Sequence, residues 1–108
     1  MLFLLDFEVE PESEAVLLGE QLSLHCLATD PQHTEAQLNF QWILNGRNVE
    51  DVEDVEASVF LNHTLYIPRV NVSSLGAYEC VVSDVNNVTE ASRTATVVEA
   101  CKKLDLIT

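Results

Sequence analysis

Apolar residues recur at every second position through most of this chain, the pattern of strands with one buried and one wet face. Leu5, Phe7 and Val9 alternate with Asp6, Glu8 and Glu10 until Pro11 removes a ladder donor, which reads as an edge strand and its stop. After Gly19 the alternation resumes, with Leu22, Leu24 and Cys26 on one face and Ser23 and His25 on the other. Residues 30–37 are polar, begin with Asp30-Pro31 and read as a loop. Leu38, Phe40, Trp42 and Leu44 then alternate with Asn39, Gln41, Ile43 and Asn45, so the large aromatics share one side and are expected to meet the Cys26 face. Asn45-Gly46 follows directly; both residues accept the positive φ of a type I′ turn, so a hairpin with a short partner strand is expected. Further strands are expected over 58–61, 64–70, 77–84 and 90–100. Many short strands without intervening helices imply an all-β sandwich or barrel.

One stretch breaks the rhythm. Val49, Val52 and Val55 repeat every third residue among Glu50, Asp51, Glu53, Asp54 and Glu56. Valine is a mediocre helix former, so an irregular acidic segment with one turn is expected, extended and solvated by mutual repulsion of its five carboxylates. The 108 residues, 47% hydrophobic, suit one domain over 1–100, followed by a tail or interdomain linker over 101–108. No uninterrupted apolar run approaches the ~18 residues needed to span a bilayer, so direct membrane insertion is not expected. Met1 to Leu5 is too short for a signal-peptide core and has no basic flank, which leaves a removed secretion signal or none. A net charge of −13 repels phosphate backbones, which argues against nucleic acid as a partner.

Cys26, Trp42 and Cys80 each fall at an inward position of an apolar strand, and Tyr78 stands two residues before Cys80. With Val16, Gly19, Glu20, Leu22 and Leu24 upstream, and Leu65, Ile67 and Gly76 downstream, the chain resembles the immunoglobulin superfamily over roughly residues 5 to 100. The split first strand, the short turn after Asn45-Gly46 and the run from Ser74 to Cys80 resemble the intermediate set (I-set) of adhesion molecules and receptor ectodomains. Trp42 to Gly46 is also similar to domains of receptor tyrosine kinases and related pseudokinases.

The resemblance implies a two-sheet antiparallel Greek-key sandwich. Its core would be built on Trp42, Tyr78, Leu24 and Leu65, with a Cys26–Cys80 disulfide covered by Trp42. Closing so long a loop would remove roughly 4 kcal/mol of unfolded-state freedom, a large share of a small domain's ~5 to 15 kcal/mol. The alternative is a pair of reduced buried thiols, as in intracellular muscle-type domains. Ser74 stands where the family usually has Asp; serine cannot make that residue's ion pair, so the corner lacks this ionic support.

Asn62-His63-Thr64, Asn71-Val72-Ser73 and Asn87-Val88-Thr89 satisfy the glycosylation rule, against a chance expectation of about one for this composition. With the cysteines they favour an extracellular location. No nucleophile elbow occurs, and His25, His33 and His63 lie in separate strands or loops, so no catalytic residue is expected. The one short ligand-like pair, His33 with Glu35, lies in a polar loop and reads as solvated; no metal or cofactor is expected. What remains is non-catalytic recognition of an extracellular protein, a second copy of the chain included, or a structural spacer between other domains. Sugars at Asn62, Asn71 and Asn87 would leave the strand around Gln41 and Ile43 as the contact face, and Glu50, Asp51, Glu53, Asp54 and Glu56 as a docking edge for a basic partner.

Cys101 follows the last strand and has no expected partner within the domain, which leaves it free or paired with another chain or domain. Non-reducing electrophoresis of the chain beside a Cys101→Ser variant separates the two: a dimer band that the variant lacks marks pairing with a second chain, and a monomer in both marks a thiol that does not pair with another copy.

Overall fold

The structure is a computed structural model that describes residues 5–31, 33–34 and 37–100. Eleven strands are present among them: β1 (Asp6–Val9), β2 (Glu14–Val16), β3 (Leu22–Leu24), β4 (Leu27–Thr29), β5 (Asn39–Leu44), β6 (Arg47–Asn48), β7 (Ser58–Val59), β8 (Leu65–Ile67), β9 (Gly76–Ser83), β10 (Thr89–Ala91) and β11 (Ala95–Glu99). One layer contains β1 paired with β4 and the ladder β3-β8-β7; the other has the order β2-β11-β9-β5-β6, with β10 also on β9. Only His25 and Cys26 separate β3 from β4, so one continuous run holds the first layer together by pairing with β8 on its first half and with β1 on its second. This is the expected all-β sandwich, with one difference: β2 runs parallel to β11, Val16 opposite Glu99. The chain leaves the first layer after β1, and Pro11, which cannot donate to a ladder, is where it crosses to the second.

The two layers are joined covalently. Cys26 and Cys80 form a disulfide with Cα atoms 6.4 Å apart, as the alternating pattern and the family resemblance implied. Trp42 lies directly opposite Cys80 in the β5–β9 ladder, and Leu24 opposite Leu65 in the β3–β8 ladder, and all belong to one buried cluster with Tyr78, Leu44 and Val82. Trp42 is 2% exposed, yet its indole nitrogen donates to the His63 carbonyl at 3.0 Å, so its one polar atom keeps a partner. Among the described residues no buried side-chain nitrogen or oxygen lacks a hydrogen bond.

Tyr78 is fully buried and its hydroxyl donates to the Ser74 carbonyl. The corner it closes uses hydrogen bonds where the family pattern has an ion pair. The Asn71 backbone N–H donates to Ser74 Oγ at 2.8 Å, and Ser74 N donates to Asn71 Oδ1 at 3.1 Å, a reciprocal cap on the 3-10 turn Val72–Ser74. Ser74 is 1% exposed, a position where an unpaired carboxylate would be costly and a small hydroxyl is satisfied.

Asn45 and Gly46 take φ of 53° and 83° and connect β5 to β6 as the hairpin signal predicts. Asn45 also reaches across to β9: its Oδ1 accepts from Ala77 N at 2.8 Å and its Nδ2 donates to the Leu75 carbonyl at 3.3 Å. Gly76, at φ 137°, makes this approach possible, because a Cβ there would sit 2.2 Å from Asn45 Oδ1. The run expected as one strand over 90–100 is instead two, β10 and β11. Ser92 interrupts it: its N donates to the Cys80 carbonyl at 2.8 Å and its buried Oγ accepts from Cys80 N at 3.0 Å, so a side chain replaces one rung of the ladder.

Burial pushes the Tyr78 phenol well above its ordinary value near 10. The unfolded phenol therefore ionises first as pH rises, which favours the unfolded state above pH 10; below that the full contribution is present. Tyr78→Phe leaves the Ser74 carbonyl without its donor and is expected to cost about 1–3 kcal/mol near neutral pH. The gap between the two proteins, measured by urea unfolding, should narrow above pH 10 because only the parent carries the group; a gap independent of pH would refute the assignment.

Candidate functional site

Parity along β5 and β9 divides the second layer into an inner and an outer surface. Trp42, Leu44, Tyr78, Cys80 and Val82 point inward and are buried. Gln41 lies opposite Val81 and Ile43 opposite Glu79 on the outer side, and Val81 is in turn paired with Ala91 of β10. Thr96 of β11, opposite Ala77, continues the same surface. Gln41 is exposed, whereas Ile43 is half-buried, since Asn48 and Glu79 flank it on the neighbouring strands. Glu79 is the one charged side chain among these positions, and its carboxylate accepts from the Thr94 hydroxyl at 3.2 Å. On a chain of net charge −13, this sheet face is comparatively poor in charge.

The acidic segment is better anchored than its repulsion suggests. Asn48 caps a 3-10 turn over Val49–Asp51 by accepting from Glu50 N at 3.1 Å. Val49 is buried, and Val52 and Val55 pack against the core cluster. The three-residue spacing therefore serves to turn the valines inward while Glu50, Asp51, Glu53, Asp54 and Glu56 remain exposed. The expected single turn is present and the carboxylates are solvated, whereas the expectation of an extended loop is corrected by these three apolar anchors. Arg47 does not neutralise the carboxylates; its guanidinium donates to the Asp51 carbonyl at 3.4 Å. Among the described residues no ion pair involves these five acids.

The three sequons differ in setting. Asn62 is exposed in the turn between β7 and β8, and its Oδ1 accepts from Thr64 N at 3.2 Å. Asn87 is exposed in the turn between β9 and β10 at φ 65°. Asn71 is exposed too, but its side-chain amide is occupied at both ends, with Oδ1 in the Ser74 cap and Nδ2 donating to the Asp54 carbonyl at 2.7 Å. Cys101, like the whole 101–108 tail, lies outside the described residues.

The histidines do not converge on a common nucleophile. His25 Nδ1 is hydrogen-bonded to Thr64 Oγ1 at 3.0 Å, and the His63 ring stacks on Phe40 with centroids 3.6 Å apart. Glu35 lies outside the described residues, so the His33–Glu35 pair is not among the contacts of the structure. His33 meets Asp30 instead, Nδ1 to Oδ2 at 3.0 Å, and Asp84 joins them from the end of β9, with donor atoms of all three within 4.8 Å of one another. A local turn accounts for Asp30, through His33 N donating to the Asp30 carbonyl at 3.1 Å. Asp84 carries no local signal; the β5–β9 ladder, with Asn39 opposite Ser83, brings the end of β9 alongside the loop that precedes β5.

The immunoglobulin domain family matches residues 6–84, most of the chain. No curated protein matches it in sequence. Among solved structures, the Ig1-2 module of the Drosophila receptor protein tyrosine phosphatase DLAR is similar with a TM-score of 0.72 and 22% identity, over 90% of this chain and 46% of that one. Extracellular domains 3-5 of Drosophila OTK give a TM-score of 0.74 and 18% identity, over 92% of this chain and 32% of that one. An I-band fragment of titin gives 0.69 and 22%, over 88% of this chain and 32% of that one. The chain thus spans less than half the length of each of these, at identities that speak to fold alone. With the family match covering both cysteines, the tryptophan between them and the tyrosine corner, this chain belongs to the immunoglobulin domain family.

Proposed function

We propose that this domain is an extracellular, non-catalytic recognition module of the I-set type within a larger cell-surface protein, and that it contacts a partner protein through the outer face of β5, β9 and β10. The observation that carries this reading is the charge-poor character of that face around Gln41, Ile43 and Val81, with Glu79 its one carboxylate, on an otherwise strongly acidic domain. A charge-poor patch can be desolvated by a partner at low cost, whereas a carboxylate-rich surface resists it. The Cys26–Cys80 bond and the exposed sequon residues Asn62 and Asn87 support an oxidising compartment. The exposed acids at 50–56 act on encounter rate through long-range attraction of a basic partner. A spacer role is the second reading, and likeness to titin keeps an intracellular setting as its companion.

Two measurements bear on this. A bivalent fusion of the domain is expected to bind cells or a second copy of itself, with Gln41→Arg or Ile43→Glu weakening binding about ten-fold or more, as for a central contact. Converting the five acids at 50–56 to amides should slow association at low salt and have little effect at 1 M, where the Debye length is about 3 Å. No binding by the parent would favour the spacer, and binding unaffected by both face variants would refute the contact face. Secreted from eukaryotic cells, the protein should carry glycan at Asn62 and Asn87, with Asn71 occupied less because its amide is held by the Asp54 carbonyl and the Ser74 cap. Glycopeptide mass spectrometry reads this directly; full occupancy at Asn71, or none at the other two, would overturn it.

A further inference from the structure

We propose that Asp30, His33 and Asp84 form a divalent transition-metal site, zinc being the ion that fits best, which links the loop after β4 to the turn after β9. The donor set is one imidazole and two carboxylates from segments on different layers of the sandwich, brought within 4.8 Å of one another. Mixed nitrogen and oxygen donors in a set of three are typical of zinc and its neighbours, with a fourth position left for water or a side chain from outside. His33 Nδ1 and Asp30 Oδ2 are hydrogen-bonded at 3.0 Å; zinc would take the place of the shared proton, and the two atoms would part only to the roughly 3.3 Å between adjacent ligands that tetrahedral bonds of about 2.0–2.1 Å impose. Calcium is disfavoured, since it takes 6–8 oxygen ligands and the cluster offers two carboxylates and a nitrogen.

Two features separate this cluster from a chance meeting of surface charges. The side chains of His33 and Asp30 are only 12% and 8% exposed, so the ring and carboxylate are held rather than waving in solvent. Asp84 is fixed by its own turn, with Asn86 N and Val88 N donating to Oδ1 at 2.8 and 3.0 Å. Both bonds fall on one oxygen, the kind of outer support that orients a ligating carboxylate and leaves its second oxygen outside these two bonds. Two half-buried carboxylates beside an imidazole, on a domain of net charge −13, favour a small cation.

The test uses the chain with Cys101→Ser, so that a thiol does not compete for metal, after chelator treatment. Titration with zinc chloride, followed by calorimetry and thermal melting, should show one ion bound and a melting point that rises with the logarithm of free zinc. His33→Gln and Asp84→Asn should each weaken binding at least about ten-fold; Asn at 84 still accepts the two turn amides, so the loop itself is preserved. Calcium chloride at the same concentrations should leave the melting point unchanged. Zinc should shift the ring nitrogens of His33, read by nuclear magnetic resonance, and leave those of His25 and His63 in place. Equal zinc uptake by the parent and both variants, shifts at His25 or His63 in place of His33, or no uptake by a folded parent would overturn the site.

Discussion

A covalent bond between two sheets at the level of a buried indole organises this domain. The Cys26–Cys80 link draws β3/β4 and β9 to a fixed separation, and the space that remains on one side is filled by Trp42 opposite Cys80. Everything else inherits that spacing. Leu24 and Leu65 close the first layer against it, Leu44 and Val82 close the second, and Tyr78 sits two residues along the same inward parity as Cys80. Because strand parity is strict, a one-residue slip in β9 would turn Tyr78, Cys80 and Val82 outward together, so register and crosslink specify one another.

Polar groups that this packing strands are recovered by short-range hydrogen bonds. The Trp42 indole reaches the His63 carbonyl, the Tyr78 hydroxyl the Ser74 carbonyl, and Ser92 replaces the rung that β10 and β11 lose. Ser74 is instructive here. In place of a charge it brings a hydroxyl small enough to be buried and well placed to share a reciprocal cap with Asn71. The same Asn71 ties the corner to the acidic segment through the Asp54 carbonyl, so the carboxylates at 50–56 are displayed from a held backbone. Charge on this domain is thus concentrated at edges and loops, and the outer face of β5 and β9 is left nearly neutral, which is the arrangement the proposed recognition role uses.

Local periodicity carried a large share of the fold, because a period of two reports directly which side of a strand is wet. The Asn45-Gly46 hairpin, the inward set from Leu22 to Cys26 and the Trp42 side of β5 were all legible, since each depends on residues adjacent in sequence. The valines at 49, 52 and 55 were visible as a repeat but not as anchors, because their burial depends on a core assembled from other strands. The break at Ser92 was hidden for a similar reason: its partner is Cys80, on a neighbouring strand.

The amino-acid order by itself determined the alternation, the turn chemistry, the cysteine and tryptophan positions and the acidic balance, all of which rest on local backbone preference and composition. Tertiary structure decided the parallel run of β2 beside β11, the half-burial of Ile43, the occupied amide of Asn71 and the meeting of Asp84 with Asp30 and His33. Those features belong to pairs of residues far apart along the chain. Their proximity is set by which strands become neighbours when two layers close around a common core, and no local pattern encodes that choice.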